Sequence, residues 1–206
     1  MDKILVFGDS IAYGKWDVKG GWVANLRKFI DETYNIGKNG NLLVYNLGIP
    51  SELAIGLEKR FTNELDSRIN PEEKCLVVFA IGVNDSCPNN RYASRQTPEI
   101  EFKSVLKMMA LYAKERNCKV AFIGILPVDP AKSKGLLFTN EEAYKYDQYI
   151  SDVCNELEIK KLELFNKLID IDFPNLLVDS AHPNSEGHRI LSENIIAFLQ
   201  EEKLLD

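Results

Sequence analysis

Histidine is nearly absent from this sequence of 206 residues: there are two, and both fall in one decapeptide, Asp-Ser-Ala-His-Pro-Asn-Ser-Glu-Gly-His at 179–188. Any chemistry that needs an imidazole is confined to that segment. Cysteine is sparse and scattered. The four residues, Cys75, Cys87, Cys118 and Cys154, form no Cys-x-x-Cys pair and have no histidine nearby, which excludes a structural zinc site. A chain of this length buries roughly 70% of its unfolded surface, so it needs no disulfide staples, and buried reduced thiols are expected. Basic residues number 25 against 31 acidic ones, a net charge of −6. With no basic stripe and no interleaved aromatics, nucleic acid is excluded as a partner. Long apolar runs are missing too. The N-terminal segment has only Ile4–Phe7 before polar residues return, too short for a signal-peptide core or a membrane span. The expectation is a soluble, cytoplasmic protein. Repeats, low-complexity tracts and linkers are also lacking, so residues 1–206 are expected to form a single domain.

What is present is an alternation. Apolar runs of β-branched character recur at Ile4–Phe7, Leu42–Leu47, Leu76–Ile81, Val120–Leu126 and Leu162–Phe165, each a candidate buried parallel strand. Amphipathic stretches separate them at Trp22–Tyr34, Glu52–Ile69, Pro98–Arg116 and Asn140–Leu157, and a last one carries Leu191, Ile195 and Phe198 on one helical face. Strands joined by helical crossovers predict an α/β fold with a parallel sheet of about five strands covered on both faces. Ligands of such sheets bind outside the carboxyl ends of the strands.

Reactive residue types stand at those ends. Gly8-Asp9-Ser10 follows the first strand, Asn46-Leu47-Gly48 closes the second, Gly82-Val83-Asn84-Asp85 follows the third, and Asp179-x-x-His182 precedes the last helix. Acyl transfer by serine needs a hydroxyl, a neutral imidazole to take its proton, and a carboxylate to orient that imidazole. Ser10, His182 and Asp179 can fill these roles. The tetrahedral oxyanion needs fixed donors, for which the backbone N–H groups of Ser10 and Gly48 and the side-chain amide of Asn84 are candidates. Taken singly, Gly-Asp-Ser and Gly-x-Asn-Asp are ordinary turn chemistry, and Asp179-x-x-His182 reads equally well as a loop whose Asn184 or Ser185 caps the following helix. Their conjunction, in order and each at a strand end, is the specific signal.

That ordered set, Gly8-Asp9-Ser10-Ile11, Gly48, Gly82-x-Asn84-Asp85 and Asp179-x-x-His182, resembles the sequence blocks of the SGNH hydrolases, or GDSL lipase/esterase family. The resemblance implies a flavodoxin-like three-layer α/β/α fold, a catalytic triad of Ser10, Asp179 and His182, and an oxyanion hole from Ser10, Gly48 and Asn84. No cofactor is implied. The expected activity is hydrolysis of small carboxylic esters or thioesters through an acyl-enzyme. Two departures stand out: Ile11 replaces leucine, and Ser51 stands where many relatives have a second glycine after Gly48, so the backbone there is expected to turn differently.

Other residues receive plainer readings. His188 is the competing base, for which a structural role is expected. Asp9 and Asp85 are expected to brace their loops. Tyr13 and Trp16 either line an acyl pocket or are core. Arg91, Arg95, Lys132 and Lys134, on the long loops Ser86–Thr97 and Pro127–Thr139, would suit an anionic substrate, but solvated loop charges are the preferred reading. Two alternatives remain: an acetylesterase acting on carbohydrate, and a non-catalytic flavodoxin-like module holding a phosphate or nucleotide at Gly8–Gly14. The absence of Gly-x-x-x-x-Gly-Lys argues against the second.

Overall fold

The β-branched runs become the five strands of one parallel sheet. In the computed structural model, which describes residues 1–88 and 96–206, they are β1 (Lys3–Gly8), β2 (Leu43–Gly48), β3 (Cys75–Ala80), β4 (Lys119–Ile123) and β5 (Lys160–Leu162). Their spatial order is β2-β1-β3-β4-β5, and every pairing is parallel. The helices are α1 (Ser10–Tyr13), α2 (Gly21–Ile30), α3 (Ala54–Asp66), α4 (Glu99–Glu115), α5 (Asn140–Leu157), α6 (Phe165–Ile169) and α7 (Ser185–Glu201). None of them is long and apolar enough to cross a membrane.

The strand period of two sorts side chains onto two faces. Leu5, Phe7, Val77, Phe79 and Phe122 pack with residues of α3, α4 and α5. Ile4, Val6, Leu76, Val78 and Ile123 pack with Trp22, Leu26 and Ile30 of α2 and Leu191, Ile195 and Phe198 of α7. Three layers follow, α/β/α. On the first face a row of rings crosses the sheet: Phe7 lies 6.1 Å from Phe79, which lies 4.9 Å from Phe122. All four cysteines are buried, and none is in a disulfide.

The sheet margins differ from what the sequence pattern predicts. The second strand was expected to be buried, yet β2 is an edge strand with Leu43 exposed, because the order of strands leaves it one neighbour. The fifth strand starts at Lys160 rather than Leu162, since its pairing with Ala121–Ile123 sets its limits, and the apolar residues after it begin α6.

Register then positions the site. Gly8 lies opposite Gly48 on one side and Ala80 on the other, so three adjacent strands end at the same level. The chain runs from β1 outward to β2 and returns across β1 to β3, making the gap between β1 and β3 a switch point where a crevice opens. Ser10 follows one of these strands and Asn84 the other.

Candidate active site

Ser10 is set by the turn that ends β1. Asp9 caps α1, its Oδ1 accepting the Ile11 N–H at 2.8 Å, and this short helical turn leaves Ser10 only 3% exposed with its hydroxyl at the crevice. His182 arrives from the other end of the chain on a loop closed upon itself: Leu177 and Pro183 form an antiparallel bridge, and the Val178 N–H donates to the His182 carbonyl at 2.8 Å. Asn184 caps α7 through the Gly187 N–H at 2.9 Å, so the loop is pinned where it meets the helix.

The two segments meet at hydrogen-bond distance. Ser10 Oγ lies 2.7 Å from His182 Nε2, and His182 Nδ1 lies 2.7 and 2.8 Å from the two Asp179 oxygens. If the serine hydroxyl donates to Nε2, Nδ1 carries the proton that the carboxylate accepts. Asp179 Oδ1 also accepts the backbone N–H groups of Ala181 at 3.1 Å and His182 at 3.0 Å, and Oδ2 accepts the indole N–H of Trp16 at 2.8 Å. Burial pushes the Asp179 carboxyl up, but the hydrogen bonds from His182, Ala181 and Trp16 outweigh it and hold the group well below the usual carboxylate range. It is therefore an anion at any pH where an imidazole is neutral.

Two donor groups approach from the neighbouring strands. The Gly48 N–H donates to Asn46 Oδ1 at 3.0 Å, while Asn46 Nδ2 donates to the Ala12 carbonyl at 2.8 Å. A β-carbon at Gly48 would sit 2.5 Å from the Tyr13 nitrogen and 2.8 Å from the Asp9 carbonyl oxygen, so only glycine lets the end of β2 lie against α1. Asn84 Nδ2 donates to the Glu52 carbonyl at 3.1 Å and faces Asp9 Oδ2 at 3.5 Å. Ser51, which stands where many relatives have a second glycine, was expected to turn the backbone differently, yet it adopts φ +66°, the left-handed conformation a glycine takes without strain. Ser10, Ser51, Asn84 and His182 share one pocket of about 150 Å³, with Val83, Leu136 and Phe138 as its apolar wall.

The remaining residues fall into place around this pocket. Asp9 and Asp85 are fully buried, and burial first, then neighbouring charge, pushes each carboxyl up to about 7. Asp9 braces its own turn. Asp85 reaches farther, accepting the Ala54 N–H that opens α3 and the Thr97 hydroxyl at 2.7 Å. His188 is fully buried in α7, accepts the Trp22 N–H at Nδ1 and does not line the pocket. Burial pushes its pKa down, against the charged form. Lys132 and Lys134 line the pocket, yet the Lys132 ammonium is held by the Pro174 and Leu177 carbonyls, both at 2.9 Å, and by Asp129. Arg91 and Arg95 lie outside the described residues. Neither Tyr13 nor Trp16 is core: each is 56% exposed. Sequence reasoning missed the Trp16–Asp179 bond and the presence of Lys15 at the pocket. No spacing or motif signals a contact between residues so far apart in the chain.

The model of the GDSL-like lipase/acylhydrolase family matches residues 6–190. The GDSL esterase/lipase WDL1 of Oryza sativa subsp. japonica is 25% identical over 211 residues, covering 96% of this chain and 77% of that protein. Among solved structures, the lipase/acylhydrolase from Enterococcus faecalis aligns with a TM-score of 0.79 at 21% identity, covering 98% of this chain and 97% of that one. Axe2, an acetylxylan esterase from Geobacillus stearothermophilus, aligns with a TM-score of 0.77 at 18% identity, covering 96% and 94%. These two likenesses establish a shared fold.

Proposed function

The chain belongs to the GDSL-like lipase/acylhydrolase family and is an ester hydrolase, and from that premise we propose that Ser10, His182 and Asp179 perform the hydrolysis through an acyl-enzyme. Ser10 Oγ attacks the ester carbonyl carbon as its proton passes to His182 Nε2, and the imidazolium that forms is held at Nδ1 by Asp179. The carbonyl oxygen becomes an oxyanion, accepting from the Ser10 and Gly48 N–H groups and from Asn84 Nδ2. Asn46 and Glu52 occupy two of these donors in the free protein with neutral carbonyl oxygens, which a charged oxyanion displaces because charge-assisted hydrogen bonds are stronger. Collapse of the intermediate breaks the bond to the alkoxy oxygen, which leaves with the Nε2 proton. Water then attacks the acyl-serine as His182 takes its proton, and when the Oγ–carbonyl bond breaks, His182 returns that proton to Oγ, freeing the acid and restoring the serine hydroxyl.

The observation that carries this reading is the continuous chain of contacts Asp179–His182–Ser10, with 2.7 Å at each link. The size of the pocket and its apolar wall of Val83, Leu136 and Phe138 suit a short acyl group. A panel of p-nitrophenyl esters tests both parts. Turnover should be fastest with acetyl to butyryl esters and fall with chain length, and Ser10→Ala should reduce it by at least about 10³-fold. A Ser10→Ala protein that keeps its turnover contradicts the mechanism. Whether the natural leaving group is a simple alcohol, a thiol or an acetylated sugar is read from the same panel extended to thioesters and acetylated xylose.

A further inference from the structure

We propose that Trp16 is a positioning residue of the hydrolytic site, its indole N–H fixing the outer oxygen of Asp179 so that the carboxylate faces His182. The inference rests on the Ser10–His182–Asp179 reading above and explains features which that reading leaves unused. A tryptophan left 56% exposed has not been placed for burial, and its one polar atom lies 2.8 Å from Asp179 Oδ2. Its backbone, at φ +69°, occupies the left-handed region that is unfavourable for any residue with a β-carbon.

The loop that holds Trp16 in this conformation is pinched shut. Gly14, Gly20 and Gly21 all have φ between 75° and 89°. A β-carbon on Gly14 would lie 2.4 Å from the Gly20 carbonyl oxygen, and one on Gly21 would lie 2.4 Å from the Gly14 α-carbon, so the two ends of the loop touch backbone to backbone. Asp17, 8% exposed, accepts the N–H groups of Lys19 and Gly21 within the loop and the Ser185 hydroxyl at 2.6 Å from outside it. The Trp22 N–H reaches His188. Ser185 and His188 both stand on the first turns of α7, directly after the Asp179–His182 loop. Trp16 and Asp179 are thus carried by two loops anchored to the same helix end, which gives the buried Asp17 and the non-catalytic His188 a shared purpose.

The bond has a signed consequence. Trp16 and the imidazolium both draw on the charge of Asp179, so removing the indole donor leaves more of that charge to His182. The protonated ring is then held more strongly, and the acid limb of the activity profile moves to higher pH. Other charges near the pair are Lys15 from the same loop, Lys132 and Lys134 across the pocket, Asp17 and His188 on the α7 side, and Asp9 beside Ser10. All are unchanged in a Trp16→Phe protein, which also keeps an aromatic ring at position 16.

Two measurements test the proposal. In Trp16→Phe, the acid limb of kcat/KM for p-nitrophenyl acetate should move up by about half a pH unit, with kcat reduced roughly 3- to 10-fold and KM little changed. A limb that stays in place or moves down overturns it. Independently of activity, the two tryptophans should yield two indole N–H resonances, with that of Trp16 identified by its loss in Trp16→Phe. Asp179→Ala should shift the Trp16 resonance upfield and leave that of Trp22 in place, and an unmoved Trp16 resonance also overturns the proposal. A Ser10→Ala protein with undiminished turnover would instead remove the underlying mechanism, and the resonance experiment would still report on the hydrogen bond alone.

Discussion

The backbone N–H of Gly48 is hydrogen-bonded in the free protein, donating to Oδ1 of Asn46 at 3.0 Å. Asn46 in turn grips the Ala12 carbonyl at the end of α1, so one side chain ties the end of the second strand to the turn that carries Ser10. The backbone around the Gly48 donor is thus fixed before substrate arrives, and a charged oxyanion has only to displace the neutral Asn46 carbonyl from it.

Asn46→Ala should therefore lower kcat about 10-fold with little change in KM, since it unties the end of β2 from the Ala12 carbonyl and lets the Gly48 N–H drift, without touching substrate. Asn84→Ala removes a donor itself and should cost about 10²–10³ in kcat. Steady-state kinetics on p-nitrophenyl acetate checks both. Equal and small effects would argue against Asn84 as an oxyanion donor.

The two histidines should separate cleanly. His182→Ala should abolish turnover by at least about 10³-fold while leaving the melting temperature nearly unchanged, because the ring lies at the pocket. His188→Ala empties a fully buried site and should lose about 2–4 kcal/mol of stability, with turnover per folded molecule within roughly tenfold of the parent. Thermal unfolding and turnover measured on the same samples distinguish them, and the reverse pattern would make His188 the base.

Asp85 predicts a pH dependence of stability. Its carboxyl is raised to about 7 in the folded protein, so the folded state holds a proton that the unfolded chain releases near the ordinary aspartate value. Stability from this group is therefore present at low pH and lost as pH rises through about 4 to 7. Asp9 acts in the same sense, whereas His188, with its pKa pushed down, loses stability as pH falls below the ordinary histidine value. Comparing Asp85→Asn with the parent isolates one contribution. The melting temperature of the variant relative to the parent should be several degrees higher at pH 8 than at pH 5, and a gap that does not change with pH contradicts the assignment.

Much of this architecture was legible because it is written locally. The run Ile4–Phe7 and the segment Leu76–Ile81 are strands because β-branched and aromatic residues pack on both faces of a central sheet, and Asn140–Leu157 is a helix with Thr139 as its cap. The pairing of Ser10 with His182 followed from histidine scarcity together with the order of blocks. What could not be read depends on contacts between distant segments. Whether the second strand is central or at the edge is set by its neighbours, and α6 is too short to show a period. Trp16 looked like core or pocket lining because its partner, Asp179, lies at the other end of the chain and its backbone conformation departs from what tryptophan prefers.

Every step proposed for hydrolysis depends on Ser10 as the nucleophile, activated by His182, which Asp179 orients. The most direct test is to treat the protein with a fluorophosphonate, digest it and locate the adduct by mass spectrometry. One phosphonylated residue, Ser10, is expected at stoichiometric yield, with labelling lost in Ser10→Ala and strongly slowed in His182→Ala. An adduct on any other residue, or labelling that persists in Ser10→Ala, would contradict it.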